Sequence, residues 1–212
     1  MALPRFTWKE YESLLGKLSS DILKYLKKNS LAVDAVVPIM RGGGVPGIYL
    51  AYALHVLSIL PVHYHYDFRE KGKMKLRRFI TIKKYTDLIP KNPVILLVEG
   101  NQCFGNTASA ALEDIKVNIK NPVVLYAADL MDYGYKNVVK AEVVFYGRYS
   151  NECETLSNEE ARKKGIFPGA KLLPWEIEKE EKETIETKQF GYNDLNQYFT
   201  KSKVVKEIKL DI

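Results

Sequence analysis

Cysteine and histidine are scarce in this chain of 212 residues, and their scarcity excludes several kinds of site. The two cysteines, Cys103 and Cys153, are too few for a disulfide framework and form no CxxC or Cys/His pattern typical of zinc. His63 and His65 alternate along one predicted strand and share a face, but a metal site built on them would lack its other ligands. We therefore expect structural histidines and a reducing, cytoplasmic location.

Long apolar runs are also absent, and none approaches the roughly 20 residues that span a bilayer. The first residues, MALPRFTWKEYESLL, lack the apolar core of a signal peptide. The net charge of +6 could suit nucleic acid, but the sequence has no helix-turn-helix, RNA-binding aromatic motif or zinc finger. We expect a soluble protein with no membrane or nucleic-acid partner, whose positive field suits a small anion.

Apolar runs do alternate with helical patterns through most of the chain. Thr7 and Glu10 form a capping box for an amphipathic helix that extends to about Lys28. Strands are predicted at 35–40, 59–66, 94–98, 122–127 and 141–146, with 80–85 as a returning strand, and further helices at 45–57 and 107–119. This alternation predicts an α/β fold with a doubly wound, mainly parallel sheet and with ligands at the carboxyl ends of its strands.

The composition divides the chain into three parts. Residues 1–146 form the predicted core with its N-terminal helix, and residues 147–176 form a small, irregular hood or insertion. Residues 177–212 form a C-terminal extension that begins with a run of Glu and Lys, typical of a solvated helix. Its later apolar residues could dock on the body or on a partner subunit.

The buried strand 94–98 leads into a segment that carries the main functional signal, EGNQCFGNT. A glycine turn between a strand and a helix exposes backbone N–H groups where a phosphate dianion binds, although many α/β proteins share such a turn. The segment resembles the phosphoribosyl pyrophosphate (PRPP) motif of type I phosphoribosyltransferases. The PRPP-binding residues that the resemblance implies are Glu99, Gly100, Asn101, Gln102, Cys103, Phe104, Gly105, Asn106 and Thr107.

The resemblance assigns roles and also exposes departures. Glu99 would hydrogen-bond the ribose hydroxyls as a catalytic residue and act as a weak ligand of Mg²⁺, which substrate and water mostly hold. Gly100 stands in place of a second acid, Cys103 in place of a base-facing aspartate, and Phe104 in place of a Thr/Ser. Since a thiol with a pKa near 8.5 is mostly protonated at neutral pH, another group or a water must accept the purine proton.

A second glycine segment, Arg41–Gly44, follows strand 35–40 and is similar to the pyrophosphate loop of the same family. Gly42 and Gly43 would turn backbone amides toward the pyrophosphate, and Arg41, the second catalytic residue, would add charge as it leaves. An ordinary strand-to-helix connection explains either motif alone, but less well both motifs in order, about 60 residues apart. Between them lies a predicted mobile, basic loop at 69–78 that would close on the pyrophosphate. Its cations are Arg69, Lys73, Lys75 and Arg77.

The base-binding residues are predicted from the same resemblance. Trp175 in Pro174–Glu176, or alternatively Phe145 and Tyr146, would stack on a purine, although Trp175 is equally well explained as core. Enzymes for 6-oxopurines have a lysine after the strand that corresponds to 123–127, where this chain has Ala128 and Asp129. Asp129 or a backbone carbonyl would accept from a 6-amino group, unless Lys136 or Lys140 reads an oxygen instead.

These interpretations predict a purine phosphoribosyltransferase of nucleotide salvage that uses PRPP, Mg²⁺ and preferably adenine. The alternatives are a 6-oxopurine enzyme and a regulator on the same fold that binds a nucleotide without turnover, because lost acids are typical of such proteins. A homodimer is the expected assembly.

Overall fold

The architecture is known from a computed structural model that describes residues 4–67, 75–169 and 171–179. Its elements are α1 (Trp8–Asn29), β1 (Ala35–Met40), α2 (Gly44–Ala53), β2 (Val62–Asp67), β3 (Lys75–Ile80), β4 (Val94–Gln102), α3 (Asn106–Asn118), β5 (Val123–Asp132), β6 (Val143–Asn151), α4 (Asn158–Lys163) and β7 (Phe167–Pro168). Two short 3-10 helices span Ile82–Leu88 and Tyr133–Tyr135.

The strands form one seven-stranded sheet in the order β3-β2-β1-β4-β5-β6-β7. Every neighbouring pair is parallel except β2 and β3. On one face, Leu18 of α1 and Leu50 of α2 pack against Val98, while on the other face Ile115 of α3 packs in the core that contains Leu97. The predicted α/β class with a mainly parallel sheet is confirmed.

The start of α1 follows directly from its sequence. The Thr7 side chain accepts a hydrogen bond from the Glu10 backbone N–H, and the Glu10 carboxylate accepts one from the Thr7 N–H. The helix ends at Asn29, after which Ser30 adopts a left-handed conformation. Both the predicted capping box and the predicted length of this helix are confirmed.

The carboxyl ends of the central strands differ from the prediction. β4 ends at Gln102 rather than residue 98, β5 at Asp132 rather than 127, and β6 at Asn151 rather than 146. Gln102 still pairs with Met131, and Asp132 with Ser150, so the ladder continues where polar side chains replace apolar ones. Apolar periodicity does not detect such extensions, because backbone hydrogen bonds maintain them.

The predicted basic loop is in part a strand. Lys75 and Arg77 belong to β3, which pairs antiparallel with β2, and Arg78 Nε lies 3.4 Å from Asp114 Oδ2 of α3. Arg69 and Lys73 lie outside the described residues. The returning strand predicted at 80–85 is wrong, since most of it forms the 3-10 helix Ile82–Leu88.

The predicted hood is continuous with the main sheet at its start. β6 crosses the expected boundary between residues 146 and 147, and the stretch that we expected to be irregular contains α4 and β7, which pairs with β6. Beyond it, Arg5 donates to the carbonyl oxygens of Leu173, Pro174 and Glu176 and fastens this segment to the N-terminal strand segment. Of the C-terminal extension, only residues up to 179 are described.

Within the described ranges, no helix combines the length and the apolar character that a bilayer crossing requires.

Candidate functional site

Two glycine segments lie at the carboxyl ends of the adjacent parallel strands β1 and β4. The loop Arg41–Gly43 follows β1, and the peptide between Met40 and Arg41 is cis. A Cβ atom at Gly42 would lie 3.6 Å from the Gly100 nitrogen, so this loop contacts the backbone of β4. The absence of a side chain at Gly42 and Gly100 permits this close contact between the loop and β4.

Gly100 has no room for the acid that the family motif has there. A Cβ atom at this position would lie 2.6 Å from the carbonyl oxygen of Gly42. Gly43 is equally confined, since a Cβ atom there would collide with the Val98 carbonyl oxygen and lie 2.8 Å from that of Ile39. The loop Arg41–Gly43 therefore occupies the space that an acidic side chain at position 100 would need.

Glu99 is the carboxylate that remains on β4 at this point. Its side chain is partly buried, and the hydroxyl of Tyr126 on β5 donates to Glu99 Oε2 at 2.8 Å. Burial, and then the Glu99 charge, raise the pKa of Tyr126 well above its ordinary value, so the hydroxyl stays a donor. Tyr126 therefore orients the Glu99 carboxylate.

The N-terminus of α3, called the cradle below, has the features of an anion-binding site. Gly105 precedes the helix with φ 72°, a left-handed conformation that glycine adopts without steric cost. The N–H groups of the first helical turn have no intrahelical acceptors, and the helix dipole adds positive potential. Asn106 is exposed and Thr107 is partly buried, so solvent reaches this end of the helix. The structure brings together Gly105, Asn106 and Thr107 at the predicted phosphate position.

Asn101 and Gln102 lie in β4 and not in the predicted loop. Asn101 Nδ2 donates to Glu152 Oε2 at 2.6 Å, and Gln102 Nε2 donates to the Tyr135 carbonyl oxygen at 2.9 Å. Their oxygens, Asn101 Oδ1 and Gln102 Oε1, are buried and accept no hydrogen bond from the part of the chain that the structure describes. Both side chains therefore bind neighbouring segments of the protein itself.

Cys103 forms a disulfide bond with Cys153, which lies just after β6. Cys103 is therefore not the free, mostly protonated thiol that the sequence analysis expected, and the two cysteines form a single cross-link rather than a disulfide framework. The backbone N–H of Cys153 also donates to Asp132 Oδ2 at 2.8 Å. A sequence separation of 50 residues carries no pairing signal, so only the fold reveals this bond.

Phe104 packs edge-on against Tyr135, with ring centroids 5.0 Å apart. Close by in sequence, Lys136 Nζ lies 3.8 Å above the ring of Tyr133, which itself packs against Tyr149 at 5.3 Å. The Lys136 ammonium lowers the pKa of Tyr133 through a hydrogen bond and its charge. This group of a cation and two tyrosines follows the carboxyl end of β5, and the sequence analysis considered only its lysine.

Asp129, the predicted acceptor for the base, is fully buried in β5. It accepts a hydrogen bond from the Tyr11 hydroxyl of α1, while its second oxygen, Oδ1, is without a partner among the described residues. Burial raises the pKa of the Asp129 carboxyl well above its usual range, although the bond from Tyr11 acts in the opposite direction. Asp129 is thus a core carboxyl whose hydrogen-bond partner, Tyr11, lies on α1.

The predicted stacking residues lie apart from one another. Phe145 packs against Tyr25 of α1 at 5.6 Å, and Trp175 packs against Tyr11 at 4.8 Å. Tyr146 instead stacks on Tyr149 at 3.9 Å. Trp175 and Phe145 therefore pack against α1, and Tyr146 belongs to the tyrosine group that follows β5.

Magnesium would find one oriented carboxylate here. No three His, Cys, Asp or Glu side chains converge as metal ligands within residues 4–67, 75–169 and 171–179. Mg²⁺ keeps several waters and commonly binds through one or two carboxylates plus substrate phosphates. Glu99 therefore fits an ion that arrives with a phosphorylated substrate rather than an ion held in a protein cage.

Comparisons with known proteins agree with this geometry. No protein-family model and no curated sequence matches the chain. Among solved structures, a purine phosphoribosyltransferase from Pyrococcus horikoshii is 17% identical with a TM-score of 0.59, over 84% of this chain and 95% of that one. The Helicobacter pylori xanthine-guanine-hypoxanthine phosphoribosyltransferase is 14% identical with a TM-score of 0.55, over 85% and 98%. A hypothetical protein from Neisseria gonorrhoeae with bound ppGpp is 14% identical with a TM-score of 0.61, over 92% and 98%.

These likenesses establish the fold. The chain has the architecture of the type I phosphoribosyltransferases, a mostly parallel seven-stranded sheet with helices on both faces.

Proposed function

We propose that this protein is a purine phosphoribosyltransferase that transfers the ribose 5-phosphate of PRPP to a purine and releases pyrophosphate. The observation that supports it is the placement of two candidate backbone anion sites, the loop Arg41–Gly43 and the α3 N-terminus after Gly105, beyond the carboxyl ends of the neighbouring parallel strands β1 and β4. PRPP carries a phosphate on C5 and a pyrophosphate on C1 of its ribose, and a site with two separated anion cradles suits such a molecule.

Each described group then has a role in the transfer. The α3 N-terminus holds the 5′-phosphate, Glu99 accepts hydrogen bonds from the ribose hydroxyls, and Arg41 with the amide of Gly42 stabilises the departing pyrophosphate. The amide predicted at Gly43 does not take part, because the Gly43 N–H donates to the Ile39 carbonyl oxygen at 2.8 Å. The bond from the anomeric carbon to pyrophosphate breaks, a bond to the purine nitrogen forms, and the nitrogen proton passes to water. Mg²⁺, when bound with the substrate, neutralises phosphate charge. Alignment and charge stabilisation carry such a reaction without a protein nucleophile.

The proposed base is adenine, because β5 has no lysine at Ala127–Asp129 to donate to a 6-oxygen. A backbone carbonyl at the end of β5 would accept from the 6-amino group, since Asp129 is buried against Tyr11. Lys136 is the donor for the alternative, an oxopurine. Mismatched donors and acceptors discriminate by a few kcal/mol, about 100-fold or more, so a comparison of adenine, hypoxanthine and guanine is decisive. Faster use of either oxopurine contradicts the adenine assignment.

The direct test is release of pyrophosphate from PRPP and Mg²⁺ with each purine in turn. Arg41→Met should lower the rate by about 100-fold, because Arg41 stabilises charge that develops in the transition state. Arg148→Met removes another exposed arginine, on β6 beside Phe167, and is the matched control that should leave the rate unchanged. An equal fall in the rate of pyrophosphate release in both variants would indicate a general effect of positive charge rather than a specific role of Arg41.

A second candidate is a nucleotide-binding regulator, favoured by the absence of the second acid at Gly100 and by the structural likeness to the Neisseria protein with bound ppGpp. A regulator would bind ppGpp or a nucleoside monophosphate while releasing no pyrophosphate with any purine. Calorimetric binding measurements beside the pyrophosphate assay separate the two functions.

We also propose a cytoplasmic homodimer, which buries the outer side of α2. Val45, Ile48 and Tyr52 are spaced along one side of this helix with exposed fractions of 37%, 51% and 78%. Such a stripe is typical of an interface. Ile48→Glu should therefore shift the mass measured by sedimentation toward the monomer. Val117→Glu, at a residue of α3 that is 76% exposed, should leave the mass unchanged.

A further inference from the structure

The carboxyl ends of β4, β5 and β6 are covered by the protein itself. Ligands of open α/β sheets bind outside the carboxyl ends of the strands. Here Gln102, Asp132 and Asn151, the last residues of these three strands, have exposed fractions of only 1%, 0% and 1%. Residues 151–156, called the cover below, lie against these ends.

Three bonds fix the cover in place. Cys153 is joined to Cys103 by the disulfide, its N–H donates to Asp132, and Glu152 accepts from Asn101. Inside the cover, the Asn151 side chain bonds both the N–H and the carbonyl oxygen of Leu156 and makes a compact turn. The cover therefore links the end of β6 to the end of β4. Its disulfide partner, Cys103, lies two residues before Gly105 at the phosphate cradle.

The closed arrangement leaves polar groups unsatisfied. Asn101 Oδ1, Gln102 Oε1 and Ser150 Oγ are buried and find no hydrogen-bond partner among the residues described. A buried acceptor without a donor opposes the state that buries it, because water would satisfy the acceptor in an open state. The covalent bond to Cys103 offsets this cost by limiting the freedom of the open chain.

We propose that the cover is a redox-controlled gate: with the disulfide formed it excludes the purine from the strand ends, and reduction opens the site for transfer. The proposal rests on the proposed function for its catalytic consequence. The cradle at Asn106 and Thr107 stays accessible to solvent while the cover is closed. Oxidation therefore affects access of the base and leaves phosphate binding nearly intact.

Opening consumes two electrons from a dithiol. A dithiol thiolate attacks the sulfur of Cys153, which is partly exposed, whereas Cys103 is buried. The Cys103–Cys153 bond breaks, a mixed disulfide forms, and the second thiol of the reagent resolves it. The products are two cysteine thiols and one oxidised dithiol.

The test compares oxidised protein, protein reduced with dithiothreitol, and the variant Cys153→Ser, which removes the cross-link without changing the motif. Pyrophosphate release with PRPP, Mg²⁺ and a purine should rise about tenfold or more on reduction, within the usual range of coupling between a switch and a site. Affinity for ribose 5-phosphate should change little. Cys153→Ser should behave like reduced protein and should not respond to dithiothreitol, which makes it the control for unspecific effects of the reagent.

Hydrogen exchange gives a readout that is independent of catalysis. The amides of Cys153 and Leu156, which donate to Asp132 and Asn151, should exchange faster after reduction, while those of β1 stay protected. Unchanged exchange of these amides contradicts the gate, whatever the protein catalyses. Faster exchange with no turnover in any state refutes the transferase and retains the gate, and equal turnover in both redox states refutes the gate and retains the transferase.

Discussion

The proposed phosphate side and the proposed base side of this site are built from different parts of the chain. Backbone forms the proposed phosphate side, where Gly42 and the turn at Gly105 leave amides for an anion and helix α3 adds its dipole. Side chains and a cross-link form the proposed base side, with Cys103–Cys153 and the tyrosines around Lys136. Backbone amides can go on binding an anion as long as the glycines that expose them remain. Side-chain ligands are lost whenever the residues that carry them are substituted.

This difference explains which departures from the family motif matter. Cys103, Phe104 and Gly100 all replace side-chain ligands, yet none of them removes a backbone amide from the cradle. We therefore expect the proposed phosphate side to retain its anion-binding chemistry and the proposed base side to differ from the family pattern.

The largest predicted effect is on the free energy of unfolding, and it is expected at Gly43 on the proposed phosphate side. In Gly43→Ala the new Cβ atom meets the carbonyl oxygens of Val98 and Ile39, both backbone atoms that cannot move aside, so the free energy of unfolding should fall by about 3 kcal/mol. Urea unfolding measures it. Gly16→Ala in α1 is the matched control, because its Cβ would find only the Tyr49 hydroxyl at 4.0 Å, and the better helix propensity of alanine should add up to about 1 kcal/mol. A Gly43→Ala protein as stable as the wild type would show that the loop Arg41–Gly43 does not need its close contact with Val98 of β4.

A smaller effect, on the pH dependence of stability, tests the burial of Asp129 in the core beside this site. The pKa of this carboxyl is raised above the value of 3.8 that it has when unfolded, so the folded state retains a proton that the unfolded state releases. Its contribution to stability is therefore fully present below pH 3.8 and is lost as the pH rises toward the folded pKa, by up to about 1.4 kcal/mol per pH unit.

Asp129→Asn should remove this part of the pH dependence, as measured by urea unfolding between pH 4 and pH 8. Tyr11→Phe sharpens the test, because it removes a hydrogen bond that lowers the pKa of Asp129 and so extends the loss to higher pH. Identical pH profiles for the wild type and Asp129→Asn would mean that the carboxyl titrates normally and is open to water.

The smallest predicted effect is on the affinity for a nucleoside monophosphate, and it is expected at Thr107 in the cradle. Thr107→Ala removes one hydroxyl donor and retains every backbone amide, so affinity for a nucleoside monophosphate should fall about fivefold, corresponding to roughly 1 kcal/mol. Ser109→Ala is the control, two residues further along α3. It deletes a buried hydroxyl with no partner among the described residues and should bind the nucleoside monophosphate as the wild type does. Fluorescence or calorimetric titration measures both. A loss much greater than that in Thr107→Ala would assign phosphate binding to side chains instead of backbone.

The sequence was sufficient for those features that local chemistry determines. The Thr7–Glu10 capping box, strand β1 and the turn at Gly105 each depend on residues adjacent in the chain, and the structure has them where they were expected. The extension of β4 to Gln102 was missed, because its polar side chains interrupt the apolar pattern while ladder pairing continues. The pairing of Cys103 with Cys153 and the burial of Asp129 under Tyr11 depend on contacts between distant segments, for which a single sequence carries no local signal.

The backbone contact between Gly42 and Gly100 has a consequence for how this site can change. Restoring an acid at position 100 by a single substitution places its Cβ atom 2.6 Å from the Gly42 carbonyl oxygen, so the loop Arg41–Gly43 must move first. A path of single substitutions back to two acids thus passes through a destabilised protein. Directed evolution for a second carboxylate should accordingly recover paired changes, or a carboxylate introduced from another segment, in preference to Gly100→Asp alone.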